Sequence, residues 1–198
     1  MESDIEDLIT EMQQIVKKML KPSRYEHSVR TAETAELLCD RNGVYGRLGY
    51  YAGIVHDMCK EFTDKEILAL VKEDGEPVSE LENENKNLMH GRAAAVLLQK
   101  NFGETDEAVL EAVRNHTFGM PGMCDLAKIL YAADKIEPGR PHMSPELYDE
   151  LVEKPLDDLV IRVLQDNIRY LNENGRGVAP VSETFLYSLI RDKQKNRH

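Results

Sequence analysis

His56 and Asp57 stand side by side at the end of an apolar run, Tyr51-Ala-Gly-Ile-Val-His-Asp-Met-Cys-Lys60. Imidazole and carboxylate are both good metal ligands. Adjacent helical residues point about 100° apart, so the pair can address different parts of one centre: His56 one ion, and Asp57 two, as a bridging carboxylate. Further candidate ligands lie on both sides: His27 before, then His90, His116 and Asp134. All six are expected to meet at one bimetallic centre. Mixed imidazole and carboxylate donors suit iron, manganese, cobalt, nickel or zinc. Magnesium prefers oxygen and would use these histidines poorly.

Each residue alone has an ordinary reading. His27 can cap or pack a helix, and His90 and His116 can be surface residues. Asp134, near a predicted helix C-terminus, sits poorly with the helix dipole, which hints at a bound cation. His142, in a Pro-rich loop, and His198 are assigned no role. Only together do the six residues indicate a centre.

Helices must position these side chains, and the apolar periodicity with its punctuation predicts about ten of them. Ser3-Asp-Ile-Glu6 has capping-box form and opens a helix over 3–20, which Pro22 ends. A second such box, Ser23-Arg-Tyr-Glu26, starts a helix over 23–40 with His27 in its first turns. The next helix, 47–58, delivers His56 and Asp57 near its C-terminal end. Thr63 to Glu66 caps a short helix to Val71. The polar stretch 79–86 reads as a mobile loop. Helices over 88–101, 105–116 and 125–136 carry His90, His116 and Asp134. Residues 117–122 and 137–141 are turn-rich loops, and helices over 145–153, 155–172 and 182–193 follow. No period-two strand is found. The last helix has Phe185, Leu186, Leu189 and Ile190 on one side, to complete the core or form a homodimer face; core is the favoured reading.

The 198 residues favour one all-α domain, 1–198, with its metal-binding core at about 24–140 and C-terminal helices, 144–195, packed on that core. The net charge of −11 opposes docking on nucleic acid. No apolar run approaches a membrane span, and the acidic N-terminus lacks signal-peptide form, so no membrane partner and a cytoplasmic location are expected. Cys39, Cys59 and Cys124 form no Cys-x-x-Cys pair and read as reduced thiols, with Cys59 a small buried residue.

The order His27, His56-Asp57, Asp134 resembles the HD-domain superfamily of metal-dependent phosphohydrolases, across about 24–140. His90 and His116 resemble its two-metal subgroup. Arg24-Tyr-Glu-His-Ser28, His56-Asp-Met-Cys-Lys60, His116-Thr117 followed by Gly-x-Pro-Gly, and Ala132-Ala-Asp-Lys-Ile-Glu-Pro-Gly-Arg140 look like the YqeK family. That family is associated with symmetrical hydrolysis of diadenosine tetraphosphate to two ADP. The resemblance implies an HD-type helical bundle and a cytoplasmic hydrolase. One metal would be on His27, His56, Asp57 and Asp134, and a second on Asp57, His90 and His116. The metals would be iron, with manganese or cobalt as alternatives.

Two cations can hold a bridging water and lower its pKa, which supplies a metal-activated hydroxide. Lys60, one turn after Asp57, can reach a phosphate. Arg140 is placed for a bidentate phosphate contact, and Arg24 can serve similarly. Thr117 and Gly119 can line the nucleotide pocket. Asp57, Lys60 and Asp134 are the catalytic candidates. The rival readings are hydrolysis of mononucleotides or guanosine polyphosphates, oxygen activation at a di-iron centre, and a nucleotide-binding sensor without turnover.

Overall fold

The computed structural model describes residues 2–195; Met1 and the last three residues, His198 among them, lie outside. The described residues form eleven α-helices and one 3-10 turn, with no strand, as an all-α fold requires. No helix among them is long and apolar enough to cross a membrane.

Helix α1 (Glu2–Met19) begins ahead of Ser3, so Ser3 is not its cap. It buries Ile9, Met12 and Val16, one stripe at helical spacing, and lies on α3. Helix α2 (Pro22–Arg41) also begins earlier than expected. Pro22 occupies the first helical turn, where its missing N–H costs nothing, and Lys21 is the cap residue without a side-chain bond. Pro22 thus opens a helix more than it closes one, and the Ser23 capping box does not form.

Helix α3 (Gly46–Val55) packs closely along α2. A Cβ on Gly53 would stand 2.7 Å from the Ala32 amide nitrogen, so only glycine permits this approach. The helix ends at Val55. His56 and Asp57 therefore lie in the turn that follows, free of the full i−4 pattern. Helix α4 (Asp64–Val71) has the expected Thr63–Glu66 capping box.

The stretch expected to be a loop contains helix α5 (Glu80–Glu84), capped reciprocally by Ser79 and Glu82. Arg92 explains its order. The Arg92 guanidinium donates to Asp74, to Glu82 and to the carbonyls of Glu76 and Pro77. A 3-10 turn (Lys86–Met89) then leads into α6 (His90–Asn101).

Helix α7 (Glu107–Asn115), capped by Asp106, packs on α6 and on α8 (Asp125–Ile136). Helix α8 is the centre of the molecule. It buries Leu126, Ile129, Leu130 and Ala133 and touches α2, α3, α7 and α10. Ser144 caps α9 (Pro145–Val152) as expected. Helix α10 (Leu156–Glu173) packs on α8, and α11 (Pro180–Lys195) packs on α10. Phe185 and Leu189 of α11 are buried, so that face belongs to the core.

Candidate metal centre

The six candidate ligands converge. His27 comes from the first turns of α2, His56 and Asp57 from the turn after α3, His90 from the start of α6, His116 from the end of α7, and Asp134 from the last turn of α8. The four histidines and Asp57 are buried, and Asp134 is nearly so. Successive imidazoles are in edge-to-face contact, with centroids 5.3 Å apart for His27 and His56, 4.9 Å for His56 and His116, and 4.8 Å for His90 and His116.

The hydrogen bonds at the backs of the rings fix their tautomers. His56 Nδ1 is 2.7 Å from the Gly53 carbonyl, His90 Nδ1 2.6 Å from that of Asn87, and His116 Nδ1 2.8 Å from that of Val113. A carbonyl can only accept, so each Nδ1 donates its proton there. His27 Nδ1 is 3.0 Å from Glu137 Oε1 and donates to that carboxylate; burial lowers the His27 pKa, but Asp134 and Glu137, facing its two nitrogens, outweigh it and raise it. All four Nε2 atoms are therefore turned inward.

They face one another and two carboxylates. His90 Nε2 lies 2.9 Å from both His116 Nε2 and Asp57 Oδ1. Asp134 Oδ1 lies 3.0 Å from His27 Nε2 and 3.7 Å from His56 Nε2. Buried His27 Nε2 and His56 Nε2 have no hydrogen bond at all. Buried polar atoms of this kind normally find a partner. Two overlapping donor sets, His27–His56–Asp134 and His56–Asp57–His116, each have ligand atoms within 4.8 Å of one another. Imidazole nitrogens and carboxylates aimed at a shared centre fit transition-metal ions, whose binding displaces any remaining Nε2 proton.

The charges around them agree. Burial pushes the Asp57 carboxyl up, but His56, His90 and Lys60 outweigh it and hold it well below the usual carboxylate range. Asp134 is likewise held well down: burial opposes ionisation, and Lys135, His27, His56 and Arg140 overcome it. Burial, reinforced by His90 and His56, holds His116 well below its ordinary value, so it stays a neutral donor.

A cavity of about 210 Å³ opens over the centre, lined by Asp57, His90, His116 and Asp134 together with Arg24, Lys60, Thr117, Lys135 and Arg140. Arg24 Nη1 donates to Asp57 Oδ2 at 3.1 Å. Lys60 Nζ is 3.3 and 3.4 Å from the two ring nitrogens of His90. Arg140 donates to the Asp134 carboxylate at 2.5 Å and to its carbonyl at 2.7 Å. Thr117 reaches the cavity with its hydroxyl unpartnered. Gly119 does not line the cavity. A Cβ there would fall 2.5 Å from Phe185 Cδ1, so this glycine serves the packing of α11, not a nucleotide pocket. His142 is exposed on its loop. Cys59 is fully buried, and burial pushes its thiol up to about 12, as expected of an inert packing residue.

Three residues escaped the sequence reading. Lys135 Nζ ties the His116 carbonyl (2.8 Å) to Asp134 Oδ2 (3.2 Å), joining α7 to α8 at the wall of the cavity. Glu137 and Arg30 stand behind His27. Helical periodicity gives no sign of either role. A weak sign existed for Glu137, a carboxylate three residues after Asp134 and followed by Pro-Gly.

Residues 24–139 match the family described as HD domain. The symmetrical bis(5'-nucleosyl)-tetraphosphatase of Bacillus subtilis is 33% identical over 86% of this chain and 90% of its own. That of Halalkalibacterium halodurans is 30% identical over 91% and 96%. A crystal structure of a protein from Clostridium acetobutylicum, described as a predicted HD superfamily hydrolase involved in NAD metabolism, superposes with a TM-score of 0.83 at 28% identity. It covers 92% of this chain and 97% of the other.

Proposed function

The chain belongs to the HD-domain family, and on that premise we propose that it is a metal-dependent phosphohydrolase that cleaves diadenosine tetraphosphate symmetrically into two ADP. The inward-facing Nε2 lone pairs beneath a cation-rimmed cavity carry this reading. His27, His56, Asp57 and Asp134 would hold one ion, and Asp57, His90 and His116 the other, with iron the favoured metal and manganese or cobalt the alternatives. Ions held there supply an acidified water and positive charge against phosphoryl oxygens.

The chain's own residues do the rest. Arg24, Lys60 and Arg140 face the cavity and can take phosphate oxygens, Arg140 through its planar fork. Asp57, with Arg24 on one oxygen and His90 against the other, keeps its position as the shared carboxylate. Asp134 is held ionised by Lys135 and Arg140, which suits a ligand better than an acid. Water adds to one inner phosphorus and the central bridging P–O bond breaks, so the departing group is ADP. A diphosphate leaves as a stable anion, and the cations of Lys60 and Arg140 offset its charge without a dedicated proton donor.

The cavity's size limits what it can read. At about 210 Å³ it is smaller than the roughly 300–1,000 Å³ of sites that enclose a drug-sized ligand. Its lining is polar and cationic. It takes the polyphosphate chain and leaves the nucleosides outside, so turnover should tolerate changes of base. We further propose a single functional domain over 1–198 and a cytoplasmic location, with the nucleotide as its partner and neither nucleic acid nor membrane.

Metal analysis of the purified protein with a nucleotide panel tests the reading. ADP as the sole product from diadenosine tetraphosphate is expected. AMP plus ATP would contradict symmetrical cleavage. Full metal content with no hydrolysis of any nucleotide would favour the sensor and remove the hydrolase.

A further inference from the structure

We infer that Glu137, clamped by Arg30, is a positioning residue that makes the two halves of the centre unequal, giving the His27 half the tighter hold on its ion. The inference rests on the metal centre proposed above. Three of the four histidines orient themselves in one local way: His56, His90 and His116 each donate Nδ1 to the carbonyl three residues earlier. His27 breaks the pattern. The carbonyl three residues before it, that of Arg24, accepts from the Ser28 hydroxyl instead. His27 Nδ1 reaches across the fold to a buried carboxylate, Glu137 Oε1, at 3.0 Å.

Glu137 is mounted to play this part. Its Oε2 accepts from Arg30 Nε at 2.5 Å and from the Gly139 amide at 2.6 Å, and Arg30 Nη2 reaches Oε1 at 3.3 Å. A Cβ on Gly139 would overlap the Arg30 guanidinium, so the glycine is what lets Arg30 lie over the loop. Glu137-Pro-Gly139 is thus a bracket for one carboxylate. An anion accepting the Nδ1 proton raises the basicity of the opposite nitrogen more than a neutral carbonyl does. His27 Nε2 is therefore the strongest imidazole donor of the four, and it lies on the side of Asp134.

The test titrates manganese(II) chloride into the full-length, chelator-stripped protein and follows binding by calorimetry. Wild type should take two equivalents in two steps. Glu137→Gln should weaken the tighter step about 10- to 100-fold, the range for losing such a partner, and leave the weaker step alone. Arg30→Met should weaken the same step less. It carries the test by the same criterion if Glu137→Gln fails to fold by circular dichroism. Both steps unchanged, both weakened alike, or the weaker step alone affected would overturn the inference. A wild-type protein that binds no manganese would instead remove the metal centre itself, a separate failure.

Discussion

The Nε2 atoms of His90 and His116 lie 2.9 Å apart, while each ring has committed its Nδ1 proton to a backbone carbonyl. Two lone pairs at that distance repel, and a cation between them removes the repulsion. Metal should therefore stabilise the fold. At a concentration 100 times Kd, a bound ion adds about 2.7 kcal/mol. For a chain of this length that raises Tm by roughly 5–10 °C. Thermal unfolding with and without chelator measures it, and identical melting curves would contradict a preformed metal site.

Asp57 joins the two halves. Its Oδ1 meets His90 and its Oδ2 meets Arg24, and His27 and His56 also lie within 4 Å of Oδ2. Asp57→Ala should lower hydrolysis by at least about 10²-fold while the far-ultraviolet spectrum stays helical. His142→Ala, on an exposed loop, should change nothing. Activity assays on the two variants decide it. Equal losses would mean that the cluster is structural and the chemistry lies elsewhere.

The contrast between Asp57 and Glu137 shows what a sequence discloses. Asp57 was legible only jointly: a His-Asp pair alone is a weak signal, and it gained meaning from His27, His90, His116 and Asp134, expected at helix ends around it. Caps and breakers placed these ends to within a few residues, and ends are where side chains leave the core. The role of Glu137 was only faintly marked: a carboxylate three residues after Asp134 stands out little in a Pro-Gly loop, where a glutamate is usually solvated. Its partner His27 is 110 positions away, and no local pattern encodes such a contact. The stretch 79–86 was misread for a related reason. Its capping box is local, but its order depends on Arg92 of the next helix. The Ser23 box failed because Pro22, one residue earlier, already satisfied the helix start.

Arg92 gives a prediction for acid stability. It donates to Asp74 at 2.8 and 2.9 Å and to Glu82 at 3.0 Å, and both carboxylates are buried. Burial raises the Asp74 pKa, but the Arg92 bonds outweigh it and the net shift is downward. A folded pKa below the unfolded one, about 3.9, adds stability that is complete above that pH and lost as pH falls through the lower folded value. Arg92→Met should abolish or reverse this dependence, because burial then raises the Asp74 pKa without Arg92 to oppose it, and should cost about 3 kcal/mol at neutral pH, the low end for breaking a buried pair. Urea unfolding of both proteins between about pH 2 and 7, a range that reaches well above the unfolded-state carboxylate value and below it, measures both effects. A variant as stable as wild type at pH 7 would contradict the role given to Arg92.

Gly53 couples the helix packing to the centre. A Cβ there would meet the Ala32 nitrogen at 2.7 Å and the Ala32 Cβ at 3.0 Å, and a backbone atom cannot turn aside. Gly53→Ala must push α3 from α2. The exchange gains about 0.5–1 kcal/mol of helix propensity, but overpacking costs about 1–3 kcal/mol, so a net loss is expected. The displacement reaches the site directly. Helix α2 carries His27, α3 leads into His56, and the Gly53 carbonyl itself accepts the His56 Nδ1 proton at 2.7 Å. Gly53→Ala should therefore lower Tm and metal affinity together, and excess metal should restore part of the activity. Gln99→Ala, at an exposed position on α6, should do neither. A lowered Tm with unchanged metal affinity would show that the spacing of α2 and α3 does not set the His27–His56 geometry.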